Sequence, residues 1–205
     1  MGEPGSGLPA ERGKARDDAG GVAAGGVAAG GVAAGGVAPG GVAPGGVAPG
    51  GARAPGHPAA DRRWLAEAVE LSRRCPQSST AFSVGAVLVD AHGEVIAAGY
   101  SRAADPRDHA EEVALRRARD AGASLAGATL YSSLEPCLRR ASRPASCAEL
   151  IAASGLRRVV IAWREPPVFQ PGGGGVWLER RGVTVVEVPD LAERARAVNA
   201  HLLGA

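Results

Sequence analysis

One stretch, HAEEVALRRARDAGASLAGATLYSSLEPCLRRASRPASC, limits the fold more than any other. It opens on His109, places Glu111 shortly after, and carries Cys137 and Cys147 near its end, in a chain with only 4 His and 3 Cys. An imidazole nitrogen and two thiolates suit Zn²⁺ held tetrahedrally, with the fourth position left to water. For donors so far apart in sequence to meet, the chain between them must run out and return, which asks for packed secondary structure rather than a local loop. Bound zinc lowers the pKa of a water ligand to about 7. Glu111, beside the histidine, is then a candidate proton carrier.

The N-terminal part cannot supply such a framework. From Gly20 to about Gly51 the chain repeats GGVAA and then GGVAP, a low-complexity run of elastin-like composition. Ordering it would cost about 1 to 2 kcal/mol per residue in backbone entropy, whereas each valine returns at most about 3 kcal/mol on burial. Residues 1–60 are therefore expected to be a disordered tail, and residues 61–205 one domain with a full core. A formal net charge of +2 is too small for bulk attraction to nucleic acid, and aromatics at 3% are few for stacking bases. No apolar run approaches membrane-spanning length and no signal region opens the chain, so a cytoplasmic protein without a membrane partner is expected. An odd number of cysteines argues for reduced, metal-bound thiols over a disulfide framework.

Periodicity gives the element order. Trp64, Leu65, Ala68, Val69 and Leu71 recur at helical spacing up to Cys75-Pro76, which predicts a first helix over 62–74. FSVGAVLVD and EVIAAGY, divided by Ala91-His92-Gly93, read as a hairpin. A second helix over 109–121 takes Asp108 as N-cap, which puts Glu111 where a capping-box glutamate would also sit. GATLYSS is a buried strand leading into LEPC. A third helix follows from Ala145 to Ala153, then the strand RRVVIAW, a Pro/Gly-rich loop with a short helix, the strand VTVVEV and a final helix over 190–203. Such alternation reads as α/β, a mixed sheet of about five strands with helices on both faces.

His109-Ala110-Glu111 and Pro136-Cys137, with Cys147 after the insertion LRRASRPAS, approximate the H-x-E…P-C-x-x-C signature of zinc deaminases. Together with GATLYSSLEPC, CAELIAASGLRRVVIAW and GVTVVEV, they make the chain from Trp64 to Leu203 resemble the deaminase domain of the riboflavin-biosynthesis family. The resemblance implies the three-layer α/β/α sandwich of the cytidine-deaminase-like fold, self-association as a homo-oligomer, and Zn²⁺ on His109, Cys137 and Cys147 with Glu111 as the catalytic proton shuttle. It further implies an aminopyrimidine ribotide as substrate, the riboflavin-pathway diaminohydroxyphosphoribosylaminopyrimidine foremost. A cytidine or dCMP-type substrate stays open, as does a non-catalytic zinc-stabilised module, which would need a fourth protein ligand.

Substrate-facing positions carried over by the resemblance are Ser83, Gly85, Ala86, Ala110, Glu135 and Arg143. The family's N-P-x-V-G-A is here Ala81-Phe82-Ser83-Val84-Gly85-Ala86, its S-H after P-C is Leu138-Arg139, and its D-P-N-P is Glu165-Pro166-Pro167-Val168. Arg139, Arg140 and Arg143 read equally as an anion clamp or a surface charge cluster, and Arg143 is the candidate for a phosphate. Gly172 to Gly175 lack a P-loop lysine and read as a flexible loop. Cys75 reads as a structural thiol at a helix end.

Overall fold

The computed structural model describes residues 56–204; the expectation of a disordered tail falls almost wholly outside them. A five-stranded mixed sheet runs in the order β2-β1-β3-β4-β5, formed by β1 (Gly85–Val89), β2 (Val95–Tyr100), β3 (Thr129–Ser132), β4 (Arg158–Ile161) and β5 (Thr184–Glu187). The β1 strand pairs antiparallel with both β2 and β3, whereas β3, β4 and β5 are parallel. Central strands β1 and β3 are buried throughout; β1 is an unbroken apolar run, as a strand covered on both faces requires, and β3 buries Thr129 and Ser132 along with Leu130 and Tyr131.

One face carries α1 (Pro58–Ser72) and α5 (Ala192–Val198); the other carries α2 (Ala110–Asp120) and α3 (Cys147–Ala153), with α4 (Gly174–Glu179) against α3. This is the expected α/β/α sandwich. The first helix begins earlier than its periodicity predicts, because Pro58 occupies the first turn, where its missing N–H costs nothing, and His57 accepts from the Ala59 N–H. Asp61 then ties that helix to the sheet: Tyr131 donates to it at 3.0 Å and Arg158 at 2.9 and 2.7 Å. No helix among the described residues is long and apolar enough to cross a membrane.

The predicted final helix is broken. A 3₁₀ turn (Pro189–Leu191), α5 and α6 (Ala200–Leu203) replace it, with the break at Asn199. That side chain leaves helical duty to clasp the backbone of Ser83, accepting from its N–H at 2.7 Å and donating to its carbonyl at 3.0 Å. Buried amide hydrogen bonds to otherwise unpaired backbone groups outweigh the modest gain of continuing a surface helix. The segment entering β1, which forms part of the cleft wall, is thereby held by the chain's last turns.

Candidate metal centre and its cleft

Three separate elements deliver the donors. His109 sits just ahead of α2, and α2 lies close over β2 because Gly99 has no side chain: a Cβ there would come within 2.5 Å of the Ala110 carbonyl oxygen. Cys137 follows β3 through the turn Ser133–Pro136. Cys147 is the first residue of α3, whose start is set by a reciprocal capping box between Ser146 and Glu149. His109 Nδ1 lies 3.6 Å from Cys137 Sγ and 3.4 Å from Cys147 Sγ, and the three donor atoms all fall within 4.8 Å of one another. Zinc bonds of about 2.3 Å to sulfur and 2.0 to 2.1 Å to nitrogen, disposed tetrahedrally, require separations of roughly 3.5 to 3.8 Å. The donor set fits.

Hydrogen bonding already prepares one thiolate. The Cys147 thiol and then His109 stabilise ionised Cys137 and bring its pKa down to about 4, against the effect of burial. The same contact with Cys137, together with complete burial, pushes Cys147 well up. The Cys147 backbone N–H also donates to Cys137 Sγ at 3.4 Å. Metal binding must therefore release the proton that Cys147 retains.

The structure corrects the reading of Asp108 as N-cap. His109 occupies that place and makes no side-chain cap bond, so Glu111 lies one position short of where a capping-box glutamate would be. Asp108 is instead buried and bonded through both oxygens to Arg116 at 3.1 Å. Glu111 points into the cleft, accepts from Ser132 Oγ at 3.2 Å and is only 3% exposed. Burial pushes its carboxyl pKa up, and the negative Cys137 adds to the effect. A carboxyl that readily takes a proton thus stands beside the donor set.

A cleft of about 370 Å³ opens over these groups. Glu135 reaches its wall, yet its oxygens are committed to the backbone N–H groups of Glu165 and Gly175, at 3.0 and 2.8 Å, and to Arg164. Ser83, Gly85, Ala86 and Ala110 are buried and do not line the cleft. Arg143 does not line it either: Asp105, Asp108 and Glu112 surround its guanidinium at 3.3, 3.3 and 3.1 Å. Its three acidic partners, invisible in sequence spacing, take the charge that a phosphate was expected to use. Cys75 lies apart from the donor set, bonded to the Val84 carbonyl at 3.3 Å.

Several wall residues were not anticipated. Phe169 packs edge-on against Phe82 with ring centroids 5.1 Å apart, and Phe82 packs in turn against Trp163. Gln170 donates to Glu165 at 3.1 Å, and both line the cleft. Arg102 lines it as well. The Pro/Gly-rich composition of 165–175 reads as a flexible loop and carries no signal of a place in the cleft wall. It is no free loop, since Gly174 and Gly175 are buried and begin α4.

Glu165 gives a measurable pH signature. Burial raises its pKa from 4.5 to about 7; Gln170 opposes the shift, and the charges of Cys137, Glu111 and Glu135 add to it. Between those values the folded chain binds a proton that the unfolded chain has lost, so stability declines as pH rises from 4.5 to about 7. The effect is below about 3 kcal/mol, less solvent screening. Glu165→Gln should raise Tm at pH 8 and leave it nearly unchanged near pH 4.5. Equal shifts at both pH values in thermal melts would refute this assignment.

A mixed five-stranded sheet between helix layers, with one histidine and two cysteines converging at one end, defines a zinc protein of the cytidine-deaminase-like class. The profile of the cytidine and deoxycytidylate deaminase zinc-binding region matches residues 58–163, and the chain belongs to that family. It is 34% identical over 132 residues to the diaminohydroxyphosphoribosylamino-pyrimidine deaminase of Schizosaccharomyces pombe, covering 63% of this chain and 32% of that protein. It is 38% identical over 127 residues to the riboflavin biosynthesis protein RibD of Escherichia coli, covering 61% and 33%. The structure of a Thermotoga maritima diaminohydroxyphosphoribosylaminopyrimidine deaminase/reductase superposes with a TM-score of 0.57 at 34% identity, over 68% of this chain and 39% of that one. The chain thus spans about a third of the length of these curated relatives.

Proposed function

We propose that this chain is a zinc-dependent hydrolytic deaminase of an aminopyrimidine ribotide, with diaminohydroxyphosphoribosylaminopyrimidine as the favoured substrate. The observation that carries the chemistry is the buried Glu111 carboxyl beside a donor set of three. A purely structural zinc module needs four protein ligands. Among the described residues the remaining cysteine, Cys75, bonds elsewhere. The relatives' names support the pyrimidine substrate, and reduced thiol ligands suit a reducing compartment such as the cytoplasm.

His109, Cys137 and Cys147 would hold the ion, which when bound supplies a water of lowered pKa and a Lewis acid. Glu111 would take a proton from the attacking water as oxygen adds to the amine-bearing ring carbon. The same carboxyl returns the proton to the exocyclic nitrogen, the C–N bond breaks, and ammonia leaves a ring that now carries oxygen. Ser132 holds the carboxyl in place through both transfers. Phe82 and Phe169 offer an aromatic wall to the ring, and the buried floor limits competing water.

The test is ammonia release by the zinc-loaded chain with aminopyrimidine ribotides, cytidine, dCMP and guanine in parallel. Turnover of a ribotide is expected. Turnover of cytidine or dCMP alone would move the substrate to the cytidine type, and turnover of none would return the chain to a binding role.

A further inference from the structure

We infer that Arg102 is the substrate-anion anchor of this cleft, the residue that meets the phosphate of a phosphorylated sugar chain. The inference rests on the ribotide reading above. Three arginines line the cleft, namely Arg102, Arg107 and Arg140. Arg107 is paired with Asp105 at 3.1 Å and Arg140 with Glu112 at 2.9 Å. Among the described residues Arg102 pairs with no carboxylate. Its Nε and Nη2 donate to the Pro76 carbonyl at 2.9 and 2.7 Å, its Nη1 to the Phe82 carbonyl at 3.0 Å, and Nη2 again to Ser83 Oγ at 3.0 Å. A guanidinium has five N–H donors, so these bonds fix its plane, leave one Nη1 hydrogen unspent, and leave its full charge uncompensated.

Its backbone is as constrained as its side chain. Arg102 is the one non-glycine residue with positive φ, at 61°, among the described residues. Left-handed backbone in an L-residue with a long side chain persists only where the surroundings enforce it, and such positions cluster at ligand clamps. The enforcing contact leads to the metal centre: the Arg102 N–H donates at 2.9 Å to the carbonyl of Asp108, the residue before His109. One turn thus fixes a cation and a metal ligand on the same wall. The carboxyl groups of Asp108, Glu111, Glu135 and Glu165 also line the cleft, so a phosphate entering it needs a fixed cation to receive it. Arg143, already surrounded by Asp105, Asp108 and Glu112, is not available for that role. A rigid guanidinium with a spare donor and no counter-ion matches a phosphate better than it matches a neutral nucleoside.

The test uses the zinc-loaded full-length chain, with ribose 5-phosphate and ribose as paired probes in calorimetry. Wild type should bind ribose 5-phosphate more tightly than ribose, and Arg102→Gln should weaken the phosphorylated probe at least about tenfold while leaving ribose unaffected. Loss of both probes in proportion, equal binding by the variant, or no binding of ribose 5-phosphate by wild type would each overturn the assignment. If Arg102→Gln does not fold, butanedione modification of wild type, mapped by mass spectrometry, decides. Ribose 5-phosphate should slow modification at Arg102 specifically, and unchanged modification there overturns the proposal. Protection of Arg102 in a chain that deaminates no ribotide would keep the anion anchor and discard the substrate reading alone.

Discussion

Glu111→Gln in the zinc-loaded chain is expected to cut ammonia release by at least about a hundredfold while zinc content and fold are kept. General acid-base help is typically worth about 10² to 10⁴ in rate, and an amide can neither accept nor return the proton. Glutamine retains the shape and the carbonyl oxygen that Ser132 now meets at 3.2 Å. An amide oxygen can still accept from the residue's own backbone N–H in the first turn of α2, so the helix start should be kept. The side chain is also outside the donor set, so the ion should stay. Turnover, bound zinc and Tm measured on one preparation check all three statements. Wild-type turnover in the variant would remove Glu111 from the chemistry and leave it a buried neighbour of the metal.

The second large effect is expected from the smallest substitution. Gly174→Ala should lower stability by about 3 kcal/mol or more and release zinc, because a Cβ at that position overlaps the Pro136 carbonyl, whose peptide leads directly into Cys137. Overlap with backbone cannot be relieved by a rotamer change. Either α4 moves away, breaking the Gly175 N–H bond to Glu135, or the Pro136-Cys137 peptide moves and takes a ligand with it. A drop in Tm of roughly 10 °C with reduced zinc occupancy is the expected reading. Gly182→Ala is the control: its φ of 76° is strained for alanine, but nothing lies within 4 Å of the added carbon. That variant should cost only about 1 to 2 kcal/mol and keep its metal. Full zinc occupancy in Gly174→Ala would mean that the glycine-rich turn does not brace the centre.

Much of this is legible in the residues themselves. His109, Cys137 and Cys147 stand out because so few residue types bind zinc and because the chain has few spare copies of them. The order of strands and helices follows from apolar periods that switch between two and about 3.6 residues. Boundaries were less secure where local signals competed. Asp108 has the chemistry of an N-cap, but Arg116, two turns along α2, offers it a bidentate partner and wins the carboxylate. The final helix has a continuous amphipathic pattern, yet Asn199 breaks it to bond Ser83, which is far away in the sequence.

What the sequence by itself determined is the chemistry the site can perform and the class of fold able to gather it, since both depend on residue types and on periods along the chain. Which charges face the cleft was decided only by tertiary structure. Arg102 and Arg143 are the same residue type, and both precede helices that contribute to the centre. Packing surrounds Arg143 with three carboxylates and aligns Arg102 on backbone carbonyls with its charge open. The glycine-rich turn likewise acquires its meaning from Pro136, a residue distant in sequence whose carbonyl lies against it. Coordination preferences are local properties of a side chain, whereas the pairing of a charge and the closeness of two backbones exist only once separate segments have packed.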